Sequence, residues 1–130
     1  MKVVIVGGVA GGATAAARIR RLDEKAEIVV FERSGYISYA NCGLPYYIGD
    51  VITDAEELTL QTPESFYSRF RVDMRVHHEV TAIHPEKKTV SVKNLKTGEE
   101  FEESYDKLIL SPGAKPTQPR FSGTELDKVF

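Results

Sequence analysis

A chain of 130 residues is long enough for one domain with its own hydrophobic core. Apolar residues at 42% and charged residues at 28% fit an ordinary folded protein, and a formal net charge of −2 argues against a general nucleic-acid binder. No apolar run is long enough to span a membrane, the N-terminus lacks a signal-peptide pattern, and a single cysteine makes the cytoplasm the expected compartment.

Val3-Val4-Ile5-Val6 is a continuous apolar run of β-branched residues, as expected of a parallel strand buried on both faces. Glycines then turn the chain, and an alanine-rich helix is predicted from about residue 10 to residue 22. Arg18, Arg20 and Arg21 fall in its last turns, where positive charge complements the helix dipole. Ile28-Val29-Val30-Phe31 is a second buried strand ending in Glu32. The result is a β-α-β unit with the spacing of a dinucleotide fold.

Residues 33–37 read as a loop pivoting on Gly35. A short helix is predicted from about Ala40-Asn41 toward Ile48, with Pro45 in its first turn, and residues 53–58 suggest another helical turn. Thr62-Pro63-Glu64 starts a third helix, with Thr62 as its cap, that ends before Val72. Residues 72–76 and 78–83 read as strands. Residues 89–93 and 100–105 flank Lys96-Thr97-Gly98, a hairpin turn, so a small antiparallel meander is expected. Lys107-Leu108-Ile109-Leu110 is a further apolar strand, stopped by Ser111-Pro112-Gly113. Residues 116–123 read as loop and residues 126–130 as the start of an apolar element. The fold class is α/β.

Three motifs carry the chemistry. In Gly7-Gly8-Val9-Ala10-Gly11-Gly12, glycines between a strand and a helix let the backbone approach a pyrophosphate at the helix N-terminus. With Gly7 as the first glycine and Gly12 as the third, Val9 occupies the second position. Glu32, twenty positions after Gly12, can accept hydrogen bonds from ribose hydroxyls. The second motif is Cys42, with Ser38, Asn41 and a predicted helix start as candidate hydrogen-bond donors around it. A lone cysteine is either a packed small hydrophobe or a redox thiol; as a redox thiol it would cycle through a mixed disulfide or a sulfenic acid. The third is Ser111-Pro112-Gly113-Ala114, a strand-ending turn that alone need mean nothing more.

Arg18 and Arg21 share a helix face with Thr14, which suits either a phosphorylated substrate or a solvated helix end. His77 and His78, if on a strand, face opposite sides; His77 and His84 read as surface residues, and His78 with Glu79 and Val80 is a candidate to approach the nucleotide. No spacing of His, Cys and carboxylates suggests a metal site.

Taken together, the glycine turn, Glu32, the segment Tyr39-Ala40-Asn41-Cys42-Gly43-Leu44-Pro45-Tyr46 and the run ending Ser111-Pro112-Gly113-Ala114 resemble one family. It is the single-cysteine branch of the flavin-dependent pyridine nucleotide-disulfide oxidoreductases, in particular its coenzyme A disulfide reductases. The resemblance implies a Rossmann-like FAD-binding domain with a parallel sheet and a small antiparallel β meander, incomplete relative to the family. It implies that Gly7, Gly8, Val9, Ala10, Gly11 and Gly12 bind FAD, with Glu32, Arg33, Val80, Ser111 and Gly113. It implies that Cys42 is catalytic, and that Thr14, Arg18, Arg21, Ser38 and Asn41 line a coenzyme A site. Oxidation of NAD(P)H with reduction of coenzyme A disulfide is the expected activity. An NADH oxidase or peroxidase, a persulfide reductase and a non-catalytic nucleotide-binding module are the alternatives. In the family the NAD(P)H-binding and dimerisation domains, and the homodimer the latter builds, involve segments beyond residue 130. Residues 1–130 are therefore expected to be the N-terminal part of the FAD domain, a fragment that binds FAD poorly and does not turn over NAD(P)H alone.

Overall fold

The computed structural model describes residues 1–115, 117, 122 and 123. The apolar element expected at residues 126–130, and most of the loop expected at residues 116–123, lie outside the described residues. In chain order the elements are β1 (Lys2–Val6), α1 (Ala10–Leu22), β2 (Glu27–Glu32), β3 (Ile37–Tyr39), α2 (Leu44–Ile48), β4 (Thr59–Gln61), α3 (Pro63–Phe70), β5 (Asp73–Val76), β6 (His78–His84), β7 (Thr89–Asn94), β8 (Glu100–Ser104) and β9 (Lys107–Leu110). Two 3-10 turns, Asn41–Gly43 and Ala55–Leu58, flank the segment around α2. Among the described residues no helix is long and apolar enough to cross a membrane.

The main sheet has four parallel strands in the order β5-β2-β1-β9. Alternating side chains of β1 and β2 enter different cores. Val3, Ile5, Ile28 and Val30 pack with Ala13 and Ala16 of α1, Phe66 of α3 and Met74. Val4, Val29 and Phe31 pack on the opposite side with Val90 and Val92 of β7. Burial on both faces explains why these strands read as unbroken apolar runs. The second face is covered by the expected meander, an antiparallel sheet in the order β6-β7-β8. Beneath it Lys2 bridges Glu27 and Glu103, and Arg75 bridges Asp73 and Glu103.

Helix α3 starts as the Thr62-Pro63 signal predicts. The Thr62 hydroxyl accepts from the Ser65 N–H at 3.2 Å, and the Ser65 hydroxyl accepts from the Thr62 N–H at 2.9 Å. Three expectations change. The helix predicted from residue 40 to residue 48 divides into a 3-10 turn and the five-residue α2. Pro45 has no N–H to reach the Asn41 carbonyl, and the Leu44 N–H donates to that carbonyl instead, closing a tighter turn. The expected loop at residues 33–37 leads into a strand: Ile37 and Tyr39 of β3 pair antiparallel with Gln61 and Thr59 of β4. His77 lies between strands with φ 57°, a left-handed bend, so His77 and His78 do not alternate across one strand.

Candidate functional site

The C-terminal end of β1 meets the N-terminal end of α1 through the glycine turn. Gly7 has φ +93°, and a β-carbon there would lie 2.1 Å from the Ser111 carbonyl oxygen. A β-carbon on Gly12 would lie 1.8 Å from the Gly7 carbonyl oxygen. Within the turn, these are the two places where a bare backbone is required by contact with other backbone. Val9, at the second motif position, is the N-cap residue of α1 and offers no side-chain hydrogen bond to it; no acidic residue occupies the first turn. The first N–H groups of α1 are thus left to an external acceptor, the arrangement that suits a phosphate.

Glu32 is 7% exposed, and both its carboxylate oxygens accept backbone hydrogen bonds. The Gly8 N–H donates to Oε2 at 2.8 Å and the Ser34 N–H to Oε1 at 2.8 Å. An ionised carboxylate has about four acceptor sites, so capacity for hydroxyl donors remains. Beside Glu32 a cleft of about 120 Å³ is lined by Gly7, Phe31, Arg33, His78, Val80 and Pro112, with Val6 and Glu79. Residues 78–80, the candidates to approach a nucleotide, line this cleft. The His78 ring lies 6.2 Å from that of Phe31 and 6.1 Å from that of Phe101, and its Nδ1 is 2.7 Å from the Val76 carbonyl. His77 and His84 are half-buried rather than fully at the surface.

Ser111 supports the turn from behind. Its hydroxyl donates toward the Val6 and Gly7 carbonyls at 3.0 and 3.2 Å, and its N–H donates to the Val6 carbonyl at 2.8 Å. Gly113 is exposed with φ +74° and has open space around its α-carbon.

The cysteine segment is joined to the glycine turn directly. The Ser38 N–H donates to the Gly8 carbonyl at 3.0 Å, so Gly8 is held by Glu32 at its nitrogen and by Ser38 at its oxygen. Ser38 has φ 49°, a left-handed conformation rarely adopted by serine. This link was not read from the sequence; the alternation of Ile37 and Tyr39 about Ser38 is the signal that would have pointed to the strand. Cys42 follows in the 3-10 turn and is exposed, not packed as a small hydrophobe. The expected ring of donors is not formed: among the described residues no hydrogen bond reaches the Cys42 thiol from Ser38 or Asn41. The Ser38 N–H is committed to Gly8, and Asn41 is exposed.

On α1 the three arginines separate. Arg20 is structural: its guanidinium donates to the Phe70, Glu24, Arg71 and Asp23 carbonyls at 2.7 to 3.2 Å, tying the end of α1 to the end of α3. Thr14, Arg18 and Arg21 are exposed, and among the described residues no carboxylate pairs with either arginine. Their positions leave both readings of that face open.

Comparison with known proteins follows the same lines. Residues 1–130 match the pyridine nucleotide-disulphide oxidoreductase family. The chain is 57% identical over 129 residues to a coenzyme A disulfide reductase of Staphylococcus aureus, covering 99% of this chain and 29% of that protein. The structure of reduced Bacillus anthracis CoADR-RHD superposes with a TM-score of 0.89 at 58% identity, over 92% of this chain and 21% of that one. An NAD-dependent persulfide reductase from A. fulgidus superposes with a TM-score of 0.91 at 37% identity, over 98% of this chain and 24% of that one. The chain therefore spans under a third of the length of these relatives. With its parallel sheet, glycine turn and meander in place, the chain belongs to the pyridine nucleotide-disulphide oxidoreductase family.

Proposed function

We propose that the chain carries the N-terminal part of the FAD-binding unit of an NAD(P)H-dependent coenzyme A disulfide reductase, with Cys42 as its redox-active residue. One observation carries this reading: the exposed lone thiol rides on a segment hydrogen-bonded to the glycine turn through Ser38 and Gly8. Similarity to proteins named coenzyme A disulfide reductase supports the substrate.

The residues fit a bound dinucleotide. The uncapped N-terminus of α1 and the bare α-carbons of Gly7 and Gly12 suit a pyrophosphate, with Gly8, Val9, Ala10 and Gly11 completing the turn. Glu32 and Arg33 would take the ribose, and Val80 and Gly113 would add contacts, while Ser111 holds the turn in shape. When bound, FAD would supply the hydride-accepting chemistry that links NAD(P)H to the Cys42 disulfide, which no side chain of this segment provides.

The step assigned to the chain itself is thiol–disulfide exchange. The Cys42 thiolate attacks one sulfur of coenzyme A disulfide; a Cys42–coenzyme A disulfide forms, the original disulfide breaks, and a coenzyme A thiolate leaves and takes a proton from solvent. Thr14, Arg18, Arg21, Ser38 and Asn41 would line the substrate path, the two arginines facing its phosphates. NAD(P)H would bind outside residues 1–130, in a cytoplasmic homodimer of the longer form. The chain alone is thus expected to bind FAD weakly and to leave NAD(P)H unconsumed; stoichiometric flavin with sustained NADH oxidation would overturn that division.

The deciding experiment treats the reduced chain separately with coenzyme A disulfide and with hydrogen peroxide, then maps adducts by mass spectrometry. A single coenzyme A adduct on Cys42, absent from Cys42→Ser, is expected. A sulfenic acid from peroxide with no coenzyme A adduct would move the reading to the oxidase or peroxidase chemistry. Inertness to both would leave a nucleotide-binding module.

A further inference from the structure

The turn that carries Cys42 packs most tightly on the Leu58 side chain. Gly43 is buried directly after the exposed cysteine, and its backbone has φ −82°, a conformation open to any residue. Its lack of a side chain is therefore a matter of space. A β-carbon there would lie 2.5 Å from Cδ2 of Leu58, with Ile52 Cδ1 at 3.5 Å and Ala40 Cβ at 3.8 Å behind it.

A flexible side chain can usually retreat from such a contact, but Leu58 is poorly placed to do so. It is 1% exposed. Its carbonyl accepts the Ala40 N–H at 2.8 Å, which ties it to the start of the cysteine turn. Asp54 caps the 3-10 turn that leads to Leu58, accepting the Glu56 N–H at 2.9 Å. Immediately after it, Thr59 pairs with Tyr39. The residue below Cys42 is thus fixed by its backbone on both sides and by burial of its side chain.

We propose that Gly43 and Leu58 are positioning residues for the Cys42 thiol, Gly43 by leaving space and Leu58 by filling it. This rests on the reading of Cys42 as a redox thiol. The pair sets the seat of the turn, and so the direction from which the thiolate meets a disulfide, whose three sulfurs must align in the exchange. Iodoacetamide also reacts by in-line displacement, but so small a reagent can bring its carbon to the thiolate from any open side, which a bulky disulfide cannot. Misplacement of a reacting group is costly where orientation matters and cheap where it does not.

The test compares two rates on the purified chain: exchange with a disulfide, either coenzyme A disulfide or glutathione disulfide, and alkylation by iodoacetamide. Gly43→Ala is expected to slow disulfide exchange about fivefold or more while changing alkylation less than about twofold. Gly43→Ala combined with Leu58→Val, which removes the obstructing methyl, is expected to restore the exchange rate. A merely structural role would move both rates together. Unchanged exchange in Gly43→Ala, parallel loss of both rates, or a double variant as slow as the single one would each overturn the proposal. If Gly43→Ala does not fold by circular dichroism, the double variant must fold and exchange like the parent; failure of both overturns it. Wild-type exchange that does not distinguish coenzyme A disulfide from glutathione disulfide would refute the coenzyme A reading instead, while the ratio of exchange to alkylation still reports on positioning.

Discussion

Gly12→Ala is the sharpest probe of the glycine turn, because two opposed effects can be weighed against each other. In a helix alanine is favoured over glycine by about 1 kcal/mol. Against that, the new β-carbon would sit 1.8 Å from the Gly7 carbonyl oxygen, 2.9 Å from its carbon and 3.0 Å from the Ser111 hydroxyl. An ordinary carbon–oxygen approach is about 3.3 Å, so the start of α1 must withdraw from the end of β1 by about 1.5 Å. Neither side yields by a rotamer change, since the nearest atoms are backbone. Withdrawal also loosens Ala13 and Ala16 from Val3 and Ile5. Overpacking of this kind costs about 1–3 kcal/mol, and a backbone-to-backbone clash belongs at the upper end. The net loss is then about 2 kcal/mol, which at a urea m-value of about 1–2 kcal/mol/M lowers the unfolding midpoint by about 1–2 M. Gly11→Ala is the internal control: it lies in the same helical turn, but its β-carbon would meet only the Ser111 side chain, at 3.2 Å. Its midpoint should lie at or above that of wild type, by up to about 1 M. Equal midpoints for the two variants would refute the reasoning, because helix propensity alone would then account for both.

Two other perturbations address the site and its support. Glu32→Gln leaves one acceptor oxygen for two backbone N–H donors, those of Gly8 and Ser34, and should cost about 1–3 kcal/mol by urea titration while weakening flavin binding by fluorescence; an unchanged midpoint would show that Glu32 does not brace the turn. The Lys2 ammonium is held above its ordinary value of 10.5 by Glu103 first and Glu27 second, outweighing partial burial. Because the folded value is the raised one, this contribution to stability is complete below about pH 10.5 and disappears as pH rises above it. Urea midpoints at pH 9 and pH 11 should therefore differ, and Glu103→Gln should reduce the difference; an equal drop in both chains would exclude the pair as its source.

Much of the fold was legible in the chain because its signals are local. Val3-Val4-Ile5-Val6 reads as a strand buried twice over, since no polar residue interrupts it, and its neighbours α1 and the meander do cover both faces. Thr62-Pro63 reads as a helix start because a cap needs only a hydroxyl and a missing N–H. Glu32 and the glycines read as a strand–turn–helix unit of dinucleotide-fold spacing because that spacing follows from strand and helix geometry.

The cysteine segment was less legible, for a physical reason. Cys42 and its neighbours name a chemistry, but where the thiol sits depends on contacts with residues distant in the chain. Ser38 reads as a donor near the thiol, yet its N–H meets Gly8, thirty residues earlier. Ser111 pins the Gly7 carbonyl from more than a hundred residues away. Leu58 determines why position 43 carries no side chain. Local propensity and pattern thus determined which strands and helices form and which residues hold chemical potential. Tertiary packing alone decided that Gly8 is shared by the acidic end of β2 and the thiol-bearing segment, because hydrogen bonds and excluded volume act between atoms brought together by the fold.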